Sequence, residues 1–112
     1  MRQILFRGIK TGTKGEWVYG SFISNSIDAP CIIDYDAEQH EVYEHSVSQF
    51  TGLLDKTKNR VFEGDKILYD EIEGIVLFKD SSFFVRFEYL RSLHLLGELE
   101  RDLEVIGNIY ED

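Results

Sequence analysis

The chain has 112 residues, 43% of them apolar and 13% aromatic, with 21 acidic against 12 basic side chains and a formal charge of −9. That length suits one domain with its own core, and the composition is too apolar for a disordered chain. The acidic excess disfavours a general nucleic-acid binder, whose phosphate contacts demand a clustered positive surface.

In chain order, residues 2–9 and 16–24 are rich in Ile, Leu, Phe, Trp, Val and Tyr, and Thr11-Gly12-Thr13-Lys14-Gly15 separates them. The pattern predicts an N-terminal β-hairpin. Residues 24–30 read as a loop containing Pro30, and Cys31-Ile32-Ile33 as a short apolar strand. From His40 to Phe50 the alternation is imperfect, with Val42 and Tyr43 as anchors; a strand is expected, with a helical turn as the alternative for part of it.

Asp55 to Arg60 forms a polar turn between Leu53-Leu54 and Val61-Phe62, with Asn59 expected to take the left-handed conformation. Gly64-Asp65 marks a second turn, where the Asp65 carboxylate is expected to accept backbone N–H groups. Strands 66–70, 75–79 and 83–88, with turns at 71–74 and 80–82, predict a meander, and the arrangement looks like an SH3-type barrel. Between Tyr89 and Leu103 the leucines at 96, 99 and 103 share a helical face, interrupted by Gly97, so a short helix or an ordered loop is expected. A last strand over Glu104–Tyr110, with Gly107 at a bulge or close approach, is expected to close the barrel. The fold class is thus mainly β: a small SH3-like barrel in the C-terminal half, an N-terminal β-hairpin lobe and at most one short helix. Residues 1–112 read as one domain with sub-lobes 1–50 and 51–112.

Three stretches carry a family resemblance. They are Met1-Arg2-Gln3-Ile4-Leu5-Phe6-Arg7, the run from Gln49 to Lys56 continuing through Val61 to Ile67, and Glu104 to Glu111. Together they resemble the YopX family of small phage-encoded proteins, from the first residues to the last. Phe50 and Leu54 stand where a tyrosine and a basic or polar residue are expected. The resemblance implies phage or prophage origin, a location in the host cytoplasm, a mostly β fold and homo-oligomerisation. It implies no substrate. Gly52, Asn59, Gly64, Asp65 and Gly107 are read as the fold-defining turn positions.

Candidate chemistry is sparse. Asp34, Asp36 and Glu38 alternate, which on an extended strand would put three carboxylates on one face, and hard cations favour such oxygens. The spacing begins like a calcium loop, but Gln39 stands at the sharp-turn glycine and His45 at the closing acid. A solvated acidic edge is the plainer reading, and neither a metal nor another cofactor is expected. His40 and His45 lie five apart, but a lone cysteine cannot complete a structural zinc set. Nothing beside Cys31 suggests a lowered thiol pKa, so it reads as a small buried hydrophobe. Phosphate loops, nucleophile elbows and paired-acid hydrolase motifs are absent from the sequence, so no catalytic residue is assigned and an enzyme is not expected.

What remains is an interaction protein. Trp17, Tyr19, Phe22, Phe83, Phe84 and Tyr89 are more aromatic surface than one small core easily hides, although a core in each of two lobes would also take them. The favoured expectation is self-association or a phage or host protein partner. The alternatives are a nucleic-acid-binding barrel using Lys56, Lys58, Arg60 and Lys66 with Phe62, which the net charge disfavours, and an acidic factor that engages a host protein. No run approaches the eighteen or so apolar residues of a membrane helix, and no apolar signal core follows Arg2. With Cys31 as the only cysteine no intrachain disulfide can form, and a cytoplasmic protein is expected.

Overall fold

Alternating apolar residues and two-residue polar turns produce a mainly β chain whose described strands pair antiparallel. The structure is a computed structural model that describes residues 4–24, 29–88, 93–99 and 102–111. Its strands are β1 (Phe6–Ile9), β2 (Trp17–Ile23), β3 (Cys31–Ile33), β4 (Gln39–Glu41), β5 (Ser48–Leu54), β6 (Arg60–Phe62), β7 (Asp65–Tyr69), β8 (Ile72–Lys79), β9 (Ser82–Phe87), β10 (Leu93–Leu95) and β11 (Glu104–Asn108). Helix is limited, among the described residues, to two single 3-10 turns, Glu44–Ser46 and Leu96–Glu98. The chain divides into two compact units, Met1–Phe50 and Thr51–Asp112.

The first unit is ordered β4-β3-β2-β1, with the start of β5 beside β1. The β1–β2 hairpin pairs Phe6 with Gly20 and Ile9 with Trp17, across the loop expected from Thr11 to Gly15. Val18, Ile32 and Val42 make its buried cluster, joined by the half-buried Phe6, Phe22 and Val47. Arg7 is buried here: its Nε donates to Ser48 Oγ at 2.9 Å and its guanidinium lies 4.5 Å from the centre of the Trp17 ring. The imperfect alternation over 40–50 resolves into β4, the turn at Glu44–Ser46 and the start of β5. Ser46 Oγ, accepting the Ile9 N–H at 2.8 Å and donating to the Tyr43 carbonyl, ties that turn to β1.

In the second unit the sheet order is β10-β9-β8-β7-β11, and β6 lies beside β5. The core gathers Val61, Ile67, Val76, Phe83, Val85, Phe87, Leu96 and Leu103. The two hairpin turns are Asp70-Glu71 and Asp80-Ser81, all four residues at positive φ, the geometry in which a two-residue loop follows the strand twist. The turn expected at 71–74 is therefore displaced. Gly74, read from sequence as turn punctuation, lies inside β8, where a Cβ would sit 2.6 Å from Val85 Cγ1; glycine is there for close packing.

Other expectations also shift. The closed barrel is not found: among the described residues the five-stranded sheet is open and ends at β10 and β11. Of the leucines at 96, 99 and 103 only Leu96 falls within the single 3-10 turn, Leu96–Glu98, which follows β10; Leu96 and Leu103 are both buried in the core, but not on one helical face. The turn at 55–59 reverses at Lys58 (φ 68°) instead of Asn59, because the Asp55 carbonyl receives the Lys58 N–H at 2.9 Å and the Asp55 carboxylate claims the Asn59 N–H at 2.8 Å. Gly52 lies within β5 at φ 88°, not in a turn, and Gly107 sits at the register shift of β11 against β7. Leu90 and Tyr89 lie outside the described residues, as does most of the expected loop at 24–30.

Candidate functional site

The period-two pattern of β7, β8 and β9 gives the second unit's sheet one face packed on the core and one facing out. On the packed face Val85 stands opposite Val76, and Phe87, Gly74 and Ile67 form the next row. Shifting by one residue reaches the outer face, since successive side chains point to opposite sides. There Leu95, Phe84 and Leu77 make one row; Leu93, Arg86, Ile75 and Lys66 make the next; Leu68 and Glu104 continue into a third, which Glu73 shares. Glu88 follows β9 and donates its N–H to the Glu73 carbonyl at 2.9 Å, extending that acidic row.

The outer face is thus apolar at one end, basic in the middle and acidic at the other. Leu93 and Leu95 are 38% and 39% exposed, and Phe84, Leu77, Ile75 and Leu68 are half-buried. Along its basic and acidic rows runs a groove of about 640 Å³ lined by Lys66, Glu73, Ile75, Arg86 and Glu88 with Gly74 and Phe87. Neither Lys66 nor Arg86 makes an ion pair among the described residues. This surface escaped the sequence reading apart from Lys66 and Phe84, although Phe84, Arg86 and Glu88 alternate visibly with Phe83, Val85 and Phe87.

The four basic residues singled out from sequence fall on different elements. Lys56 follows β5 and pairs with Glu104 at 3.3 Å, Lys58 is the positive-φ turn residue, Arg60 opens β6, and Lys66 sits on the outer face of β7. Phe62 is buried and offers no stacking platform. Around Lys56 the organising group is Asp55, 4% exposed. Its Oδ1 accepts the N–H groups of Thr57 and Asn59 and the Thr57 hydroxyl, and its Oδ2 accepts the Val105 N–H at 2.9 Å. Burial pushes the Asp55 pKa up, but the hydrogen bonds from Val105, Asn59 and Thr57 outweigh it and hold the carboxyl below its ordinary value.

Asp65 is also buried, and its Oδ2 accepts the Phe62 N–H at 2.7 Å across the turn at Gly64. Gly64 takes φ 86°, donates its N–H to the Val76 carbonyl and receives the Ile109 N–H on its own carbonyl.

In the first unit the expected row of Asp34, Asp36 and Glu38 is broken by a turn. Asp34 Oδ1 accepts the N–H groups of Asp36 and Glu38 at 2.9 and 3.0 Å, with Ala37 at φ 62°. The carboxylates therefore do not share a strand face. Asp34 Oδ2 instead meets His40 Nε2 at 2.8 Å; that bond, then the Glu38 N–H, lowers the Asp34 pKa. Cys31 is buried, and its sulfur accepts a hydrogen bond from Gln39 Nε2 at 3.2 Å. The His45 ring packs on Tyr43 and the His94 ring stands edge-on to Phe87, so the three histidines occupy three separate settings.

Comparison with known proteins gives one informative match: a family described as YopX protein aligns over residues 6–112. None of the curated proteins compared is similar to this chain.

Proposed function

Because the chain belongs to the YopX family, we propose that it is a phage- or prophage-encoded, non-enzymatic interaction protein of the host cytoplasm whose second unit self-associates through its outer sheet face. One observation carries the reading: on that face the apolar row Leu77, Phe84 and Leu95 lies beside a basic row and then an acidic one. Exposed apolar surface rimmed by polar groups marks contact sites. The order of charges argues for a second copy. The basic and acidic rows lie about 7 Å apart along the strands, two residues of rise. A two-fold axis across the strands and between those rows sets Arg86 against Glu88 of the other copy and Ile75 against its Glu73, with Lys66 opposite its Leu68 and one strand from Glu73, so that cations meet carboxylates across an isologous contact.

The SH3-like reading of this unit is retained as part of the proposal. It is supported by four antiparallel strands in meander, a 3-10 turn after them, and a fifth strand, β11, returning beside β7, the first of the sheet. No described helix is long and apolar enough to cross a membrane.

The test is light scattering coupled to size exclusion at about 0.1 mM protein, where a specific interface is populated by mass action. Wild type is expected as a dimer or larger, and Arg86→Glu with Ile75→Glu, which sets carboxylate against carboxylate across that contact, as a monomer with unchanged circular dichroism. A monomeric wild type, or a double variant that still assembles, refutes the proposal.

A further inference from the structure

The turn between β3 and β4 gathers a mixed nitrogen and oxygen ligand set. His40 Nε2 lies 2.8 Å from Asp34 Oδ2 and 4.0 Å from Glu38 Oε2, and the three ligand atoms lie within 4.8 Å of one another. Two ligand atoms each about 2.1 Å from a tetrahedral metal stand roughly 3.4 Å apart, between the two distances to the imidazole. An ion therefore needs the Asp34–His40 contact to open by a fraction of an ångström and Glu38, whose side chain is 71% exposed, to swing inward.

Beside this set, and apart from its hydrogen bonds, a cleft of about 170 Å³ lined by Asp34, Leu5, Gly20, Ser21, Ile33 and Tyr35 opens at Asp34. The Asp34 and Glu38 side chains, 22% and 71% exposed, leave the set open to water. His40 is held on β4 by pairing with Ile32 on β3, so the imidazole is presented by sheet and not by a free loop. One imidazole with two carboxylates suits the borderline transition metals better than calcium or magnesium, which favour all-oxygen shells.

We propose that Asp34, Glu38 and His40 bind one divalent transition-metal ion through Oδ2, a carboxylate oxygen and Nε2, with water completing its shell. The imidazole binds as the tautomer protonated on Nδ1 and so gives up its hydrogen bond to Asp34. No catalytic step is attached to the ion. Its effect is to pin the turn that joins β3 to β4.

The probe is zinc chloride, titrated calorimetrically into the chelator-treated full chain near pH 7.5. One saturable event per chain and a zinc-dependent rise in melting temperature are expected. His40→Ala is expected to weaken binding by more than about tenfold, Glu38→Gln by less, and His45→Ala and Cys31→Ser not at all. Glu38→Gln carries the test if His40→Ala fails to fold, since Glu38 is exposed. Absence of saturable heat up to about 1 mM zinc, or one affinity shared by wild type, His40→Ala and Glu38→Gln, overturns the proposal. So does loss of binding in Cys31→Ser or His45→Ala with the Asp34 set intact.

Discussion

Asp55 shows how one side chain can organise distant backbone. Its two oxygens receive three hydrogen bonds from the turn that follows and one from Val105, fifty residues on. Truncation orphans several N–H groups at once, so Asp55→Ala is expected to destabilise by about 2–4 kcal/mol in urea titration. A loss under about 1 kcal/mol would mean that water replaces those bonds. The sign of the pH dependence follows from the lowered pKa. Below the unfolded value of about 3.9 the unfolded chain binds the proton more readily than the folded one, so stability falls as pH drops through the folded value. Above the unfolded value the contribution is complete. Asp55→Asn should therefore flatten the acid limb of the stability curve below about pH 4 while leaving its slope at neutral pH alone.

Gly64 separates two sources of strain. A Cβ there would meet the Tyr110 ring at 2.7 Å, but that contact is with the far end of a side chain, which can move. The φ of 86° cannot be relieved so easily. Gly64→Ala should cost about 1–2 kcal/mol, and nearly as much in a Tyr110→Ala background. Full rescue by Tyr110→Ala would show that the ring, not the backbone, imposes glycine.

At the scale of elements, what the sequence made legible was local alternation. The β1–β2 hairpin, β3, and the strands β7 and β9 follow from apolar periodicity and polar punctuation. The failures have physical causes. Gly74 looked like a turn because glycine usually breaks a strand, yet here the missing side chain admits Val85 and Phe87 from the neighbouring strand. The true reversal, Asp70-Glu71, carries no glycine and was hidden for that reason. The three acids at 34, 36 and 38 were read as a strand edge because alternation was visible, whereas the Asp34 carboxylate folds the backbone over itself. His40 then comes into reach from β4, a partnership that depends on sheet register and not on sequence spacing. The two-residue turns offer a test. Asp70 and Glu71 take φ 50° and 67°, so Glu71→Gly removes left-handed strain at the second position. It should raise stability by about 0.5–1 kcal/mol. Unchanged or lower stability would mean that the Glu71 side chain contributes more than its backbone conformation costs.

For the whole molecule, charge weighs against the nucleic-acid reading. The formal charge of −9 sets a repulsive background for any polyanion. Against it stand Lys66 and Arg86, whose groove also carries Glu73 and Glu88, while Lys56 is already paired with Glu104. Non-specific binding depends on many phosphate contacts made together, each releasing counterions. Two cations flanked by two carboxylates cannot supply them, and Phe62, the aromatic nearest the basic turn in sequence, is buried. Fluorescence anisotropy with labelled single-stranded and duplex DNA should therefore give dissociation constants weaker than about 0.1 mM at physiological salt. Micromolar binding that falls steeply with added salt would reverse this conclusion and return Lys66 and Arg86 to a phosphate-binding role. Micromolar binding insensitive to salt would point to base stacking on the half-buried apolar row of Phe84, and Phe84→Glu would then abolish it. Weak binding in both formats leaves the outer face to protein contact, where alternating rows of opposite charge favour a matched surface over a uniformly charged one.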